Sequence, residues 1–98
     1  LNVSEHPGKV FEAALETAKA QGWEILAADP ARGTIEAVAV TRVMNFKDDV
    51  AIRVTETADG SAVDMRSVSR VGESDLGANA NRIRTFRDAL KAKLAAAA

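Results

Sequence analysis

Two stretches of the chain carry hydrophobic residues at the spacing of an amphipathic helix. The first opens with Pro7, which suits the first turn of a helix, and ends before Gly22. Its apolar residues lie three or four positions apart, at Val10, Phe11, Ala14, Leu15 and Ala18. The second has its apolar stripe at Ile83, Phe86, Leu90 and Leu94, with Arg82, Arg84, Arg87, Lys91 and Lys93 on its other sides. The pattern predicts a helix near each end of the chain, the second capped by Ser74 or Asp75.

Between the helices, apolar and polar residues alternate with a period of two, which is typical of half-buried strands. Trp23, Ile25 and Ala27 share one face of the first such segment, and the segments 35–40, 50–56 and 62–70 repeat the alternation. Residues 1–3 add a short strand at the start. Because each helix has one apolar face to bury, both must pack on the same face of the sheet. The predicted fold is therefore α+β, a two-layer sandwich with an antiparallel sheet of four to five strands and two helices on one face, in the order (β)-α-β-β-β-β-α.

The dipeptide Asp59-Gly60 predicts the register of the last two strands. It is the strongest two-residue hairpin signal in the chain, because both central positions of a type I′ turn need positive φ. A turn there predicts the cross-strand pairs Val54–Met65, Ile52–Ser67, Arg53–Arg66 and Asp49–Arg70. The preceding strand then pairs Ala39 with Val50 and sets Glu36 beside Arg53 and Arg66 on the helix-free face. We expect Asp49 and Arg70 to form an exposed ion pair.

Composition narrows the class of protein. The 98 residues suffice for a single domain, 1–98, in which residues 95–98 are an extension of the last helix or a tail. Apolar residues make up 47% of the chain and charged residues 28%, a mixture typical of a folded domain. The chain has no cysteine, which excludes disulfides, thiolate metal sites and cysteine nucleophiles, and His6 is its single histidine. We therefore predict a non-catalytic protein without a metal or cofactor.

The charge and hydropathy of the chain limit the kinds of partner that it is expected to bind. The formal net charge is −1, so no strong positive field favours nucleic acid, and the basic side of the second helix is interpreted as a solvated face. No apolar run approaches the roughly 20 residues that span a bilayer, so a membrane would be reached only through a segment outside this sequence. The chain begins at Leu1 without an initiator Met or a signal-peptide pattern, and we interpret it as a fragment or a processed form.

Several segments resemble the family catalogued as domain of unknown function 1499. They are Phe46-Lys47-Asp48-Asp49-Val50, the stretch from Val63 to Gly77 with its run Arg66-Ser67-Val68-Ser69-Arg70-Val71-Gly72, Gly22-Trp23-Glu24-Ile25, and Asn79 to Arg84. Val43-Met44-Asn45 departs from the family, in which an aromatic residue and a glycine are expected before the Phe. The resemblance covers nearly the whole chain and implies a bacterial or plastid protein, often with an anchor or export signal upstream. The resemblance implies no activity. The bacterial envelope or periplasm is favoured as the location on the basis of this resemblance alone.

Lys47-Asp48-Asp49 is the first candidate for chemistry, since it places two carboxylates and an amine where a strand begins. One interpretation is a divalent-cation site or an acid–base pair. Calcium, however, prefers six or more oxygen ligands, and with Asn45 this segment supplies too few. The favoured interpretation is structural: one aspartate holds the turn, and Asp49 pairs with Arg70.

Arg66, Arg70 and Ser74 are the candidates for an anion site at the start of the second helix. Helix N-termini offer free N–H groups, and arginine binds phosphate or carboxylate through two parallel hydrogen bonds. The competing interpretation is a set of internal ion pairs, because acidic neighbours can neutralise both arginines. Ser67 and Ser69 continue the face of their strand on which apolar residues are expected, and their role stays open.

Val38, Val40 and Val68 are predicted on the helix-free face, where valines on adjacent strands indicate a dimer contact or a docking surface for a missing part of the chain. The Trp23 ring is predicted in the core. The predicted function is a binding or protein-interaction module of the bacterial cell envelope. The alternative is a small-ligand binder that takes an anion or lipid headgroup near Arg66, Arg70 and Ser74.

Overall fold

The computed structural model describes residues 1–40, 47–69 and 76–97. Its elements are β1 (Asn2–Val3), α1 (Pro7–Ala20), β2 (Glu24–Asp29), β3 (Thr34–Val40), β4 (Lys47–Thr57), β5 (Gly60–Ser69) and α2 (Leu76–Ala97). The five strands form one antiparallel sheet in the order β1-β5-β4-β3-β2, so β4 is the central strand. This arrangement confirms the predicted α+β fold.

Both helices pack on one side of the sheet, here called the inner face, and leave the other side, the outer face, without a helix. Along β4, buried and exposed residues alternate from Lys47 to Thr55, with Val50, Ile52 and Val54 on the inner face. The Trp23 side chain is 9% exposed and its ring stacks on Phe86 with 5.4 Å between ring centroids, which confirms its predicted place in the core.

The end of α1 directs Trp23 into this core. The N–H of Gly22 donates to the Lys19 carbonyl at 3.0 Å, and the N–H of Trp23 donates to the Ala18 carbonyl at 3.2 Å. Gly22 has φ +84°, the left-handed conformation that closes such a helix end. The turn reverses the chain within three residues, so β2 begins directly beneath the helix that precedes it.

The predicted register of the β4–β5 hairpin is wrong by two residues. The two turn residues are Ala58 and Asp59, and Gly60 already belongs to β5, opposite Thr57. Gly60 has φ +149°, and a Cβ there would lie 2.2 Å from the Val3 carbonyl oxygen. The glycine is therefore required by the close approach of β1, and moving the turn by one residue shifts each cross-strand pair by two.

The pairing of β3 with β4 is shifted by two residues as well, since Ala37 faces Val50. Gly33 holds this register: the N–H of Val54 donates to its carbonyl at 2.7 Å, and a Cβ on Gly33 would lie 2.2 Å from the Val54 carbonyl oxygen. The prediction that Glu36 lies beside Arg53 and Arg66 is therefore wrong. In the structure, Ala51 of β4 lies between Glu36 and Arg66. A shift of two residues leaves every side chain of these strands on its predicted face.

A β-bulge in β2 overturns one further expectation. Ile25 faces Ala37 and Ala27 faces Glu36, so Leu26 is an extra residue in this strand. Beyond the bulge the alternation is reversed, and Ala27 lies exposed on the side of Glu36, away from Ile25. Alternation in the sequence does not reveal the inserted residue, because each half of β2 alternates correctly by itself.

Candidate functional site

A cluster of polar side chains lies on the inner face where β4 and β5 meet the start of α2. It consists of Asp48, Ser67, Asn79 and Arg82, here called the polar cluster. Asp48 and Ser67 occupy inner-face positions of their strands, next to Val50 in the sheet. Asn79 and Arg82 are three residues apart and therefore lie on one side of α2. The polar cluster therefore has two residues on the sheet and two on α2, one pair on each layer of the sandwich.

Arg82 binds the other three residues together. Its Nη1 atom lies 2.8 Å from Oδ2 of Asp48, and it donates to Oδ1 of Asn79 at 2.8 Å and to Oγ of Ser67 at 3.0 Å. The Ser67 hydroxyl donates in turn to Oδ1 of Asn79 at 2.7 Å. The Asp48 and Arg82 side chains are only 4% and 14% exposed. Such a buried, mutually neutralised pair fixes α2 on the sheet.

The polar cluster corrects the interpretation of two segments. Asp48 is the buried aspartate of Lys47-Asp48-Asp49, and its partner is Arg82, which was expected on the solvated face of α2. Asp49 points to the outer face and stands opposite Val68, so the register that suggested the Asp49–Arg70 pair is wrong. Arg70 itself lies outside the described residues. Among the residues that the structure describes, no group of three His, Cys, Asp or Glu side chains could hold a metal.

Of the three residues predicted for the anion site, the structure describes only Arg66. Arg66 is exposed and faces Ala51, which places it on the outer face of the sheet. Asn79, near the start of α2, contacts Ser67 on the inner face, so the sheet separates Arg66 from this end of the helix. Arg70 and Ser74 lie outside the described residues, as do the proposed cap residues of α2. The combined anion site therefore stays a prediction.

The outer face carries the exposed apolar side chains. In the described part of the chain, the large hydrophobic residues that remain exposed are Leu26 at 54%, Val40 at 50% and Val68 at 45%. Val40 and Val68 occupy outer-face positions of β3 and β5, and Leu26 borders a shallow depression with Glu36, Asp49 and Arg66. Val38, expected beside them, is only 3% exposed, because it lies in mid-sheet with Glu24 and Asp49 on either side.

Charged residues of both signs surround these apolar side chains. Arg53 on β4 faces Asp64 on β5, and Lys47 faces Val40. Opposite charges on neighbouring strands stabilise the sheet modestly and leave its outer face without a dominant sign. The outer face therefore combines separate apolar side chains with surrounding charged side chains of both signs.

Sequence patterns missed Asn79, Arg82 and Leu26. Asn79 and Arg82 precede Phe86 by seven and four residues, so both continue the buried stripe of α2 towards its N-terminus. The polar residues Asp48 and Ser67 at inner-face positions were the matching signal on the sheet. No signal in the sequence reveals the bulge that exposes Leu26.

Comparison with known proteins places the chain in a family. A family model described as protein of unknown function (DUF1499) matches residues 1–90, and the chain belongs to this family. A search of curated proteins finds no match. In the described residues, neither helix is long and apolar enough to cross a membrane.

Proposed function

We propose that this domain is a non-catalytic protein-interaction module of the bacterial cell envelope, and that its partner protein binds the outer face of the sheet. One observation carries the proposal: the exposed large hydrophobic residues of the described chain, Leu26, Val40 and Val68, all lie on this face. The envelope location rests on the family resemblance.

The composition of the outer face favours a separate partner protein over a permanent dimer. Obligate dimer interfaces resemble a divided hydrophobic core, whereas non-obligate ones have small apolar centres within a polar rim. On the outer face, Asp49 stands between Val38 and Val68, and Lys47 is the β4 neighbour of Val40. Charges thus interrupt the apolar positions, as expected for a surface that is also stable in contact with water.

Site-specific photo-cross-linking in the native host tests this proposal. A photoreactive amino acid replaces Val40 or Val68 in the full-length protein, and in a control it replaces Ala92, an exposed residue of α2. We expect a discrete cross-linked protein from the outer-face positions and none from Ala92. Fractionation of the same cells tests whether the protein is in the envelope.

Affinity measurements with the purified partner complete the test. Val68→Glu is expected to raise the Kd about tenfold or more, because it buries a charge in the contact, and Ala92→Glu is expected to change it by less than about twofold. Equal cross-linking from all three positions, or an affinity that Val68→Glu leaves unchanged, would contradict the proposal. A cross-link only to a second copy of the chain would also contradict it and would identify the face as a dimer contact.

A further inference from the structure

The helix α1 begins at a histidine cap. His6 is the N-cap residue and has an extended backbone, and its Nδ1 atom accepts a hydrogen bond from the Gly8 N–H at 3.2 Å. The first N–H groups of a helix have no acceptor within the helix, so this bond stabilises the first turn. Serine, threonine, aspartate and asparagine, the preferred residues at this position, keep their acceptor oxygen between pH 5 and 8. Histidine does not.

The cap requires a neutral imidazole. An Nδ1 atom that accepts a hydrogen bond does so through the electron pair to which a proton would bind, so the ring proton of neutral His6 is on Nε2. When a proton binds Nδ1, this atom becomes a donor and meets the Gly8 N–H as a second donor. His6 is exposed, so protons reach it from the solvent. Protonation of His6 therefore removes the cap.

The charges around His6 do not offset this loss. The first turn of α1 contains no acidic residue, and Lys9 adds a positive charge where the helix macrodipole is also positive. The charged side chains on the chain next to His6, and those that line the same cleft from the loop before β3, from β3 and from β4, are equal in number for each sign: Glu5, Lys9, Arg32, Glu36, Arg53 and Glu56. The positive charge of a protonated His6 therefore meets no excess of negative charge.

The segment that precedes His6 is held independently of the cap. Val3 pairs with Ser61 in the sheet, and the hydroxyl of the fully buried Ser61 donates to the Glu5 carbonyl at 2.8 Å. These contacts involve the backbone and a hydroxyl group, which do not titrate near neutral pH. The chain up to Glu5 therefore stays on the sheet when His6 is charged.

The first turn of α1 has space beside it. A cleft of about 870 Å³ separates Pro7, Gly8 and Phe11 from residues 30–33, the loop between β2 and β3. The Phe11 side chain is only 5% exposed and closes the inner end of this cleft. His6 is thus the point at which a fixed segment meets a helical turn that has room to move.

We propose that His6 is a pH-sensitive cap, whose protonation releases the first turn of α1, residues 7–10, and widens the cleft beside it. The neutral ring holds the turn closed and the charged ring opens it, while β1 and the rest of the sheet stay folded. This device is separate from the outer face and does not depend on the function proposed above.

NMR spectroscopy of the whole chain between about pH 8 and pH 5.5 tests the device, because model carboxylates titrate below this range. At pH 8 we expect the ring ¹⁵N signals of His6 to show the Nε2–H tautomer. As the pH falls, the protection of the Gly8 amide, corrected for the intrinsic exchange rate, should decrease about fivefold or more. The ¹³Cα shifts of Gly8 and Lys9 should move towards random-coil values with the midpoint of the His6 ring signals. The Ser61 amide should keep its protection.

Three variants identify the group responsible. His6→Asn keeps a cap acceptor that does not titrate, so it should remove the pH response and leave the first turn closed at pH 5.5. His6→Ala has no cap and should show at pH 8 the open turn that the unaltered chain shows at pH 5.5. Glu56→Gln, the matched control, changes a charged group of the same cleft and should keep the pH response.

Four results would overturn the proposal. They are an Nδ1–H tautomer at pH 8, a pH response that persists in His6→Asn, a pH response that disappears in Glu56→Gln, and a closed first turn in His6→Ala at pH 8. Equal loss of protection at Gly8 and Ser61 would also overturn it, because it would indicate unfolding of the whole domain. Failure of the outer-face cross-linking would not affect these results.

Discussion

Trp23 is the largest side chain in a core made mostly of alanine, valine, isoleucine and leucine. Its ring stacks on Phe86 at an interplanar angle of 17°, so one aromatic pair joins the start of β2 to the middle of α2. Aromatic side chains contribute the most buried area per residue, and a small domain has few other residues to replace it. Trp23 therefore makes one of the larger single contributions to the stability of this domain.

Trp23→Ala should lower the free energy of unfolding by about 3–5 kcal/mol, because it removes a large buried ring and leaves a cavity. Small domains are stable by only about 5–15 kcal/mol, so the variant should be partly unfolded near physiological temperature. Leu26→Ala, which truncates a side chain that is 54% exposed, is the control and should change the stability by less than about 0.5 kcal/mol. Chemical unfolding followed by circular dichroism measures both, and similar midpoints for the two variants would disprove the role of Trp23.

At the scale of elements, two ion pairs connect different parts of the structure and differ in burial. Asp48 and Arg82 join β4 to α2 with side chains that are 4% and 14% exposed. Glu16 and Lys93 join the two helices at 2.9 Å with side chains that are 64% and 43% exposed. Water screens the second pair and not the first. The two therefore contribute differently to stability despite similar distances.

Removing one partner of the buried pair should be costly. Arg82→Ala should lower the free energy of unfolding by about 3–5 kcal/mol, because Asp48 is then a buried charge without its counterion. Glu16→Ala should lower it by about 1 kcal/mol or less. The double variant Asp48→Ala/Arg82→Ala should lose less than the sum of the two single variants, since neither charge remains. Strict additivity in denaturant unfolding would show that the two groups do not interact.

At the scale of the whole molecule, the sheet is asymmetric. The central strand β4 has a partner on both sides along most of its length, whereas β5 is covered by β1 only near the hairpin. The helices cover the inner face, and the outer face meets solvent with charged side chains of both signs between its apolar ones. The outer face, the surface proposed for binding, is the side of the sheet that the helices leave uncovered.

Hydrogen exchange should reveal this asymmetry directly. The Asp64 and Arg66 amides point towards β4, and those of Met65 and Ser67 point to the opposite edge of β5, beyond the described extent of β1. In the free protein we expect the first two to exchange about tenfold or more slowly than the second two. Uniform protection from Asp64 to Ser67, measured by NMR in dilute solution, would show that the edge is covered and would contradict the described sheet boundary.

The sequence was sufficient to predict the element order, the two-layer arrangement and the inner position of Trp23. These follow from local periodicity, which specifies which side chains must leave water but not which residues they meet. The face of each residue in β3, β4 and β5 was also predictable, because a register error of two residues preserves the alternation.

Tertiary structure alone decided the register, the bulge and the burial of Arg82, since each depends on residues distant in the chain. Gly60 resembles a turn glycine, yet the backbone of Val3 and Ser4 requires it. Arg82 resembles a solvated residue, yet Asp48 meets it across the layers. Periodicity reports the average environment of a side chain, whereas an ion pair or a close backbone contact requires two particular segments to come together. The sequence by itself therefore determines which side chains are buried, and the assembled fold determines which residues they contact.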